Sequence, residues 1–232
     1  MADHPVVSGD KWLQARVGLL KKEKEFTKLK DDLARQRREL PWEKVDKNYV
    51  FLGPKGKETL PDLFENRSQL IVYHFMFDPS WDAGCPHCSH VADSFNDIII
   101  HLNHRDVTMV AVSLAPYPKL KAYEKRMGWN FKWLSSSEAD FNYDYHASFT
   151  PEELKKKKAT YNYAIQDPGP PQREGVSVFY KKGNNVFHTY SAYARGIEIF
   201  MDDYQLLDLT PKGRDEDGRG PFWVRRHDEY DR

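Results

Sequence analysis

The residues best suited to chemistry are two cysteines. They lie three positions apart in the tetrapeptide Cys85-Pro86-His87-Cys88, and the chain has no others. A thiolate is the nucleophile in thiol–disulfide exchange, and a second thiol one helical turn away attacks the mixed disulfide that forms. A histidine beside the sulfur favours the thiolate over the thiol. The pattern predicts that Cys85 attacks and Cys88 resolves, with Pro86 and His87 completing the catalytic tetrapeptide.

The flanking residues predict the elements that hold this tetrapeptide. The run from Leu70 to Phe77 is almost wholly apolar, which is typical of a strand buried on both faces. Pro86 suits the first position of a helix, and apolar residues recur at helical spacing from Val91 to Leu102. A cysteine at a helix N-terminus meets partial positive charge and free N–H groups, which stabilise a thiolate. The position of Cys85 therefore agrees with its predicted chemistry.

The remaining pattern predicts an α/β domain. A strand from Val107 to Leu114 and a helix from Lys119 to Met127 follow, and this alternation of strands and helices indicates a parallel sheet. Two β-rich runs between Val176 and Tyr190 surround a Gly-Asn turn and predict an antiparallel hairpin. A helix from Gly196 to Leu207 is expected to close the domain.

A long helix is predicted ahead of this domain. The stretch from Lys11 to Arg38 has no proline, and one apolar row repeats every seven residues. That row consists of Trp12, Leu19, Phe26, Leu33 and Leu40. It must pack on the chain's own core or on a second copy, which would make a homodimer through this helix. The expected organisation is a helical arm over 1–45, the α/β domain over 46–210 and a charged tail over 211–232, lying on the surface or partly disordered.

Composition limits the expected partners and compartment. Thirty-five basic and 35 acidic residues cancel, so no global field draws the protein to nucleic acid or to an anionic membrane. No stretch approaches the roughly 18 apolar residues of a membrane span, and the first 20 residues lack a secretory signal. Two cysteines cannot form a disulfide framework. We expect a cytoplasmic protein that binds neither nucleic acid nor membrane and needs no bound cofactor.

Other uses of the cysteines remain open at this stage. A zinc site needs four ligands, so two histidines such as His74 and His90 would have to join the cysteines, and the second C-x-x-C of a zinc ribbon is absent. Buried cysteines also serve as small apolar residues without chemistry. A third alternative is a non-catalytic binding or scaffold protein that uses only the shape of the fold.

Four longer blocks of the sequence resemble a known protein family. The order of predicted elements resembles the thioredoxin fold, and Cys-Pro-His-Cys is similar to the active site of Dsb-type disulfide oxidases. Nearly the whole chain resembles a thioredoxin-like family of predicted dithiol-disulfide oxidoreductases, the domain of unknown function numbered eight hundred and ninety-nine. The matching blocks are Val72–Phe77, Gly84–Ser89, Val186–Gly196 and Leu207–Arg214. The resemblance implies a central mixed sheet flanked by helices and a long N-terminal helical extension, but no substrate. From the dithiol chemistry we expect protein or small-molecule disulfides and thiols as substrates.

The mouth of the site departs from the thioredoxin pattern. Thioredoxins place a cis-proline just before the hairpin's first strand, where this chain has Val176. Either Val176 takes that position or the site differs, and its peptide bond should be trans because a cis bond without proline costs about 3 kcal/mol. Trp81, Tyr190 and Arg195 complete the predicted mouth, although tyrosines on a hairpin commonly serve packing.

Proton transfer is assigned to three candidates. His74 lies about where thioredoxins keep a buried acid that moves protons for the resolving cysteine, so it is either that group or a hydrogen-bonded core histidine. Asp78 and Asp82 are nearer Cys85 in sequence and are the substitute bases.

A peroxiredoxin-like thiol peroxidase is the enzymatic rival. Asp78-Pro79 and the approach from Leu60 to Leu63 resemble that family. Its signature has Thr or Ser three residues before the cysteine and proline four before that. Asp82 and Asp78 occupy those positions here, so the hydroxyl that would hold peroxide is missing.

Overall fold

The computed structural model describes residues 4–231, which divide into two compact units, one ending at Pro41 and the other starting at Trp42. The first unit is a single long helix, α1 (Gly9–Glu39). The Ser8 hydroxyl accepts a hydrogen bond from the Lys11 amide at 3.5 Å, which satisfies one of the free donors at the helix start. No residue of α1 is buried. The predicted apolar row is therefore exposed, including Trp12, Leu19, Phe26, Leu33 and Leu40.

The second unit is built on a mixed sheet. Its strands follow the order β1-β10-β9-β4-β5-β6-β2-β3, and a separate hairpin pairs β7 with β8. The strands are β1 (Glu43–Lys44), β2 (Val50–Gly53), β3 (Gly56–Thr59), β4 (Gln69–His74), β5 (Val107–Ser113), β6 (Trp133–Ser135), β7 (Ala159–Tyr161), β8 (Ala164–Gln166), β9 (Gly175–Lys182) and β10 (Asn185–Tyr193). The central strands β4, β5 and β6 are parallel, and β9 and β10 extend the sheet as an antiparallel hairpin.

Helices connect and cover these strands. The α-helices of this unit are α2 (Pro86–Ala92), α3 (Phe95–His104), α4 (Tyr117–Met127), α5 (Phe141–Asp144), α6 (Pro151–Lys156) and α7 (Asp202–Leu207). Three 3-10 helices span Leu60–Phe64, Ala194–Phe200 and His227–Glu229. None of the helices within residues 4–231 is long and apolar enough to cross a membrane.

Alternation along β4 divides the core between the two sides of the sheet. Leu70 and Val72 pack in one apolar cluster, whereas Ile71 and Tyr73 pack in the other. Successive side chains of a strand point to opposite faces, which explains this separation. The cluster with Tyr73 also contains both cysteines, and we call its side of the sheet the cysteine face. The side with Leu70 and Val72 is the opposite face.

The protein has a thioredoxin-like fold, as the sequence predicts. Strand β4 leads through α2 and α3 to the parallel strand β5, and the β9–β10 hairpin lies against the other edge of β4. The cysteine tetrapeptide follows β4 and begins α2. No peptide bond within residues 4–231 is cis, which confirms the expected trans bond at Val176.

Two predicted helices differ from the structure. The apolar segment from Val91 to Leu102 is not one helix, because α2 ends at Ala92 and α3 begins at Phe95. At the break, the Ser94 hydroxyl donates to the Val91 and Phe200 carbonyls, and this local bonding competes with a continuous helix. The last predicted helix likewise divides into the 3-10 helix Ala194–Phe200 and α7.

Residues 211–231, which we call the C-terminal segment, make specific contacts with the rest of the second unit. Arg126 pairs with Asp228 at 2.7 Å, and His227 Nδ1 lies 2.7 Å from the Asp93 carboxylate. The Tyr204 hydroxyl donates to Glu216 at 2.6 Å. The sequence predicts a surface tail here, whereas these contacts hold the segment against α2, α4 and α7.

Candidate active site

The backbone of one residue, Met76, bonds to both cysteines. Its carbonyl accepts a hydrogen bond from the Cys85 amide at 3.1 Å, and its own amide donates to Cys88 Sγ at 3.4 Å. Cys85 is the residue just before α2, and Pro86 is its first helical residue. Because proline has no amide hydrogen and suits this position, the sequence starts the helix here. Cys88 then lies one turn further along the helix.

Cys85 is prepared to ionise. A hydrogen bond with Cys88 and, after it, one with His87 hold the pKa of Cys85 well below its usual range, although burial opposes this shift. The His87 Nε2 donates to the Pro221 carbonyl at 3.1 Å, which leaves Nδ1 for the Cys85 sulfur. That sulfur raises the pKa of His87, so a thiolate and an imidazolium stabilise each other.

Cys88 has the opposite tendency. Burial raises its pKa well above the ordinary value, and the charge of Cys85 adds to this effect. The Tyr73 hydroxyl lies near this sulfur, is buried, and has no hydrogen-bond partner within residues 4–231. Burial and the neighbouring Cys88 sulfur raise the pKa of this phenol. The pair is therefore asymmetric, with one sulfur suited to attack and the other held as a thiol.

Each sulfur meets a separate opening. Cys85 lines a depression of about 660 Å³ together with residues 80–86 and Arg226. Cys88 lines a different cavity of about 540 Å³, with Tyr73 and His87 beside it. The remainder of this second cavity is mainly apolar and is closed partly by Pro221 and Phe222 of the C-terminal segment. The site thus offers two approaches to one dithiol.

The structure brings most of the predicted site residues to the cysteine face. Trp81, Asp82 and Pro86 line the Cys85 depression, and Arg195 lines the Cys88 cavity. Val176 is buried in the same apolar cluster as the two sulfurs. These side chains come from three separated parts of the chain, which the parallel β4–β5 pair and the β9–β10 hairpin bring to one side of the sheet.

Three predicted residues line neither opening. His74 points to the opposite face, where Nε2 accepts from the Ser177 hydroxyl at 2.9 Å and burial lowers the pKa of the ring to about 4. Asp78 is held by the Ser80 amide at 2.9 Å and the Gln172 amide at 3.0 Å, away from both openings. Tyr190 packs at the edge of the apolar cluster and lines neither opening.

Sequence patterns missed four contributors. Glu174 and Tyr73 line the Cys88 cavity, and the Glu174 carboxylate has no hydrogen bond or ion pair within the described chain. Its charge raises the pKa values of Cys88, His87 and Tyr73, after larger effects of burial or of the sulfurs. Pro221 holds His87, and the Arg226 guanidinium donates to the Gly84 carbonyl at 2.7 Å. The one available signal was the charged Glu174, which immediately precedes β9 and lies two positions before Val176.

The surroundings of the cysteines do not match the zinc alternative. His74 is on the opposite face, and His90 Nε2 lies 2.8 Å from the Asp203 carboxylate. Across residues 4–231, no group of three or more His, Cys, Asp or Glu side chains is arranged to hold a metal ion.

Several solved structures are similar to this chain. Peroxidoxin BcpB from Mycobacterium tuberculosis is 12% identical with a TM-score of 0.48, over 71% of this chain and 92% of that chain. A mutant of PrxQ from Xylella fastidiosa is 12% identical with a TM-score of 0.46, over 71% and 94%. The mitochondrial 2-Cys peroxiredoxin from Plasmodium falciparum is 12% identical with a TM-score of 0.43, over 72% and 94%. Likenesses this distant do not transfer an activity to this chain.

Sequence comparison identifies the family. No curated protein matches the chain. A family model described as a bacterial protein of unknown function (DUF899) matches residues 1–230, so the match includes α1, the cysteine tetrapeptide and nearly all of the C-terminal segment. This extent confirms the resemblance that the sequence blocks indicated. The chain belongs to this family of bacterial proteins of unknown function.

Proposed function

We propose that the protein is a thiol–disulfide oxidoreductase whose active group is the Cys85–Cys88 dithiol. The observation that carries this proposal is the placement of the two cysteines, with Cys85 at the N-terminus of α2 and Cys88 buried one turn further along the helix. The lowered pKa of Cys85 and the raised pKa of Cys88 agree with this placement. A nucleophile and a resolving thiol need this division, because the thiolate attacks first and the second group stays a thiol until the mixed disulfide has formed. His87 supports the thiolate through its hydrogen bond with Cys85.

The proposed reaction has two exchange steps. The Cys85 thiolate attacks one sulfur of a substrate disulfide, the substrate S–S bond breaks, and the first substrate thiolate leaves. Cys88 then loses its proton and attacks Cys85 Sγ, which forms the Cys85–Cys88 disulfide and releases the second substrate thiolate. Two electrons pass from the dithiol to the substrate. The reverse sequence oxidises a substrate dithiol.

Glu174 is the proposed acceptor of the Cys88 proton. Its carboxylate lines the same cavity as Cys88, and no other described group neutralises it. His74 is unsuited to this role, since it is hydrogen-bonded on the opposite face of the sheet. Asp82, which lines the Cys85 depression, is the proposed proton acceptor beside Cys85.

Redox titration and trapping test the proposal. The protein is equilibrated in glutathione buffers of known potential, and free thiols are alkylated and counted by mass. We expect a two-electron transition between dithiol and intramolecular disulfide. The Cys88→Ser variant should accumulate a mixed disulfide with a model disulfide peptide, and Cys85→Ser should abolish it. A pair that never forms the intramolecular disulfide would contradict the dithiol mechanism.

The same variants test the two rival functions. Turnover of hydrogen peroxide that exceeds the rate with disulfides would favour the thiol peroxidase. Absence of any exchange, with the fold intact by circular dichroism, would favour the non-catalytic scaffold.

The proposal extends to assembly and location. The exposed apolar row of α1 supports a homodimer through this helix. Light scattering is expected to give twice the chain mass, and Leu19→Glu with Phe26→Glu should halve it, whereas exposed Lys22→Glu should not. The two free cysteines support a cytoplasmic location, where thiols are kept reduced.

A further inference from the structure

The cavity beside Cys88 has the dimensions of a small-molecule site. Its volume of about 540 Å³ lies within the range of ligand cavities, and its walls are mainly apolar. Cys88 is among the residues that line this cavity and is only 1% exposed, whereas Cys85 lines the other opening. A protein segment that reaches Cys85 through its own depression does not need this second space.

Two opposite charges in the cavity wall form no ion pair within residues 4–231. The Arg173 guanidinium donates to the Pro168 carbonyl through Nε and lies over the Tyr161 ring, 5.5 Å from its centroid, but it has no anionic partner among these residues. The neighbouring Glu174 carboxylate forms neither an ion pair nor a hydrogen bond in the same part of the chain. Other charges in the wall are compensated, since Arg195 pairs with Glu198 at 2.7 Å. The unpartnered Tyr73 hydroxyl adds a polar atom that is fully buried at the cavity wall. A ligand with both an ammonium and a carboxylate would satisfy both charges.

Exchange chemistry indicates which sulfur such a ligand should attack. In a disulfide, the sulfur with the lower pKa leaves faster. The pKa of Cys85 is held low and that of Cys88 is raised. Attack on Cys88 Sγ therefore expels the better leaving group. The place of Cys88 in the cavity wall and leaving-group chemistry indicate the same atom.

We propose that the cavity admits a small zwitterionic thiol of the amino-acid class, which reduces the Cys85–Cys88 disulfide by attack on Cys88. This inference rests on the proposed oxidoreductase function and adds to it the reductant and its point of entry. The Glu174 carboxylate receives the ammonium group, and the Arg173 guanidinium receives the carboxylate.

The electrons and atoms balance over two thiols. The first thiolate bonds to Cys88 Sγ, the Cys85–Cys88 bond breaks, and Cys85 leaves as a thiolate. A second thiolate attacks the ligand sulfur of this mixed disulfide, forms the small-molecule disulfide, and releases Cys88, which takes up a proton. Two thiols are oxidised to one disulfide, and one protein disulfide is reduced to the dithiol.

The first test locates the adduct. Oxidised protein is mixed with L-cysteine and quenched within milliseconds by excess N-ethylmaleimide, and fragmentation mass spectrometry reads the two sulfurs. We expect the cysteinyl adduct on Cys88 and the maleimide on Cys85. The reverse distribution would overturn the proposal.

The second test probes recognition. The rate at which the protein disulfide is reduced is measured with L-cysteine, N-acetylcysteine and cysteamine. Each rate is divided by the rate at which the same thiol reduces a small model disulfide, which corrects for differences in intrinsic thiol reactivity. L-cysteine should be favoured by about fivefold over each analogue that lacks one charge. Arg173→Gln should remove the preference over cysteamine, and Glu174→Gln the preference over N-acetylcysteine. Equal normalised rates would overturn the zwitterion assignment.

The third test blocks the cavity. Ala194 lines it, whereas Ile199 lies on the same 3-10 helix and is 64% exposed, outside the cavity. Ala194→Phe should slow reduction by L-cysteine by about tenfold or more, and Ile199→Phe should leave the rate unchanged. An equal rate in both variants would contradict the entry route.

The equilibrium titration separates this inference from the proposed function. An equilibrium constant does not depend on the route of access. If the pair forms its disulfide in glutathione buffer but the adduct falls on Cys85, only the entry route fails. If the pair never forms the disulfide, the oxidoreductase function itself fails.

Discussion

At the residue scale, the chemistry depends on which groups share one side of the sheet. His87 contacts Cys85, and Glu174 lines the cavity of Cys88, although the two residues are distant in sequence. His74 immediately follows Tyr73 and nevertheless belongs to the opposite face. One position along a strand reverses the direction of a side chain. The proton-transfer role expected from sequence position therefore moves from His74 to Glu174 in the proposal.

Removing the His87 imidazole should weaken the Cys85 thiolate. In a Cys88→Ser background, His87→Ala is expected to move the pH profile of iodoacetamide alkylation to higher pH and to slow it about tenfold at pH 6. The exposed His101→Ala is the matched control and should leave the profile unchanged. An unaltered profile in His87→Ala would show that the backbone alone stabilises the thiolate.

The buried His74 ring should make stability depend on pH. Burial lowers its pKa from 6.5 to about 4, so below pH 6.5 the unfolded chain binds a proton that the folded protein does not. Stability should fall as the pH decreases from 6.5 towards 4, by about 3 kcal/mol in total. Urea unfolding at several pH values measures this loss. His74→Gln should lose less stability than wild type over this pH range, whereas the exposed control His101→Gln should lose as much as wild type. Parallel curves of stability against pH for all three proteins would refute the assignment to His74.

At the element scale, the site is held by its two neighbours, the β9–β10 hairpin and the C-terminal segment. The hairpin brings Glu174 and Val176 beside β4. The C-terminal segment covers the other side, where Pro221 contacts His87 and Arg226 contacts the Gly84 carbonyl next to Cys85. Residues of this segment therefore border both openings.

Releasing the Arg226 contact should expose Cys85 to larger reagents. In the Cys88→Ser background, Arg226→Ala should raise the rate of reaction with a polyethylene glycol maleimide about threefold, because the segment loses its bonds to Gly84. Arg225→Ala is the matched control, since Arg225 bonds only to carbonyls within its own segment. Equal rates in the two variants would mean that the segment does not restrict access.

The sequence predicts those elements whose signals are local. The apolar run of β4 and the helix start at Pro86 both appear in the structure. Contacts between distant residues leave no such signal, and Arg226 reaches Gly84 across 142 positions. The break between α2 and α3 was missed for the same reason, since Ser94 bonds to the distant Phe200 carbonyl.

At the scale of the whole molecule, one sheet separates a reactive layer from a structural layer. The cysteine face holds both sulfurs and their two openings, while the opposite face holds an aromatic cluster around Phe141 on which His74 stacks at 5.4 Å. Substitutions on the opposite face should change stability more than thiol chemistry. In the proposed oxidoreductase, redox behaviour should therefore depend mainly on the cysteine face.

The reduction potential of the folded protein should depend weakly on pH. Above the pKa of Cys85, reduction of the disulfide takes up two electrons and one proton, so the midpoint should change by about 30 mV per pH unit. Below the pKa of Cys85 the slope should increase to about 59 mV. Glutathione titrations over a wide pH range measure both slopes. A uniform slope of about 59 mV would mean that Cys85 is protonated throughout.

The backbone of Met76 has a consequence for how this family can diverge. Because residue 76 bonds to the Cys85 amide and to the Cys88 sulfur through main-chain atoms, its side chain can change without removing either bond. That same side chain lines the Cys88 cavity. Point mutations at this position could therefore alter which molecules are admitted while the sulfur pair is inherited intact. A deletion in the loop from 77 to 84 would instead shift the tetrapeptide away from both atoms, so such changes should be selected against.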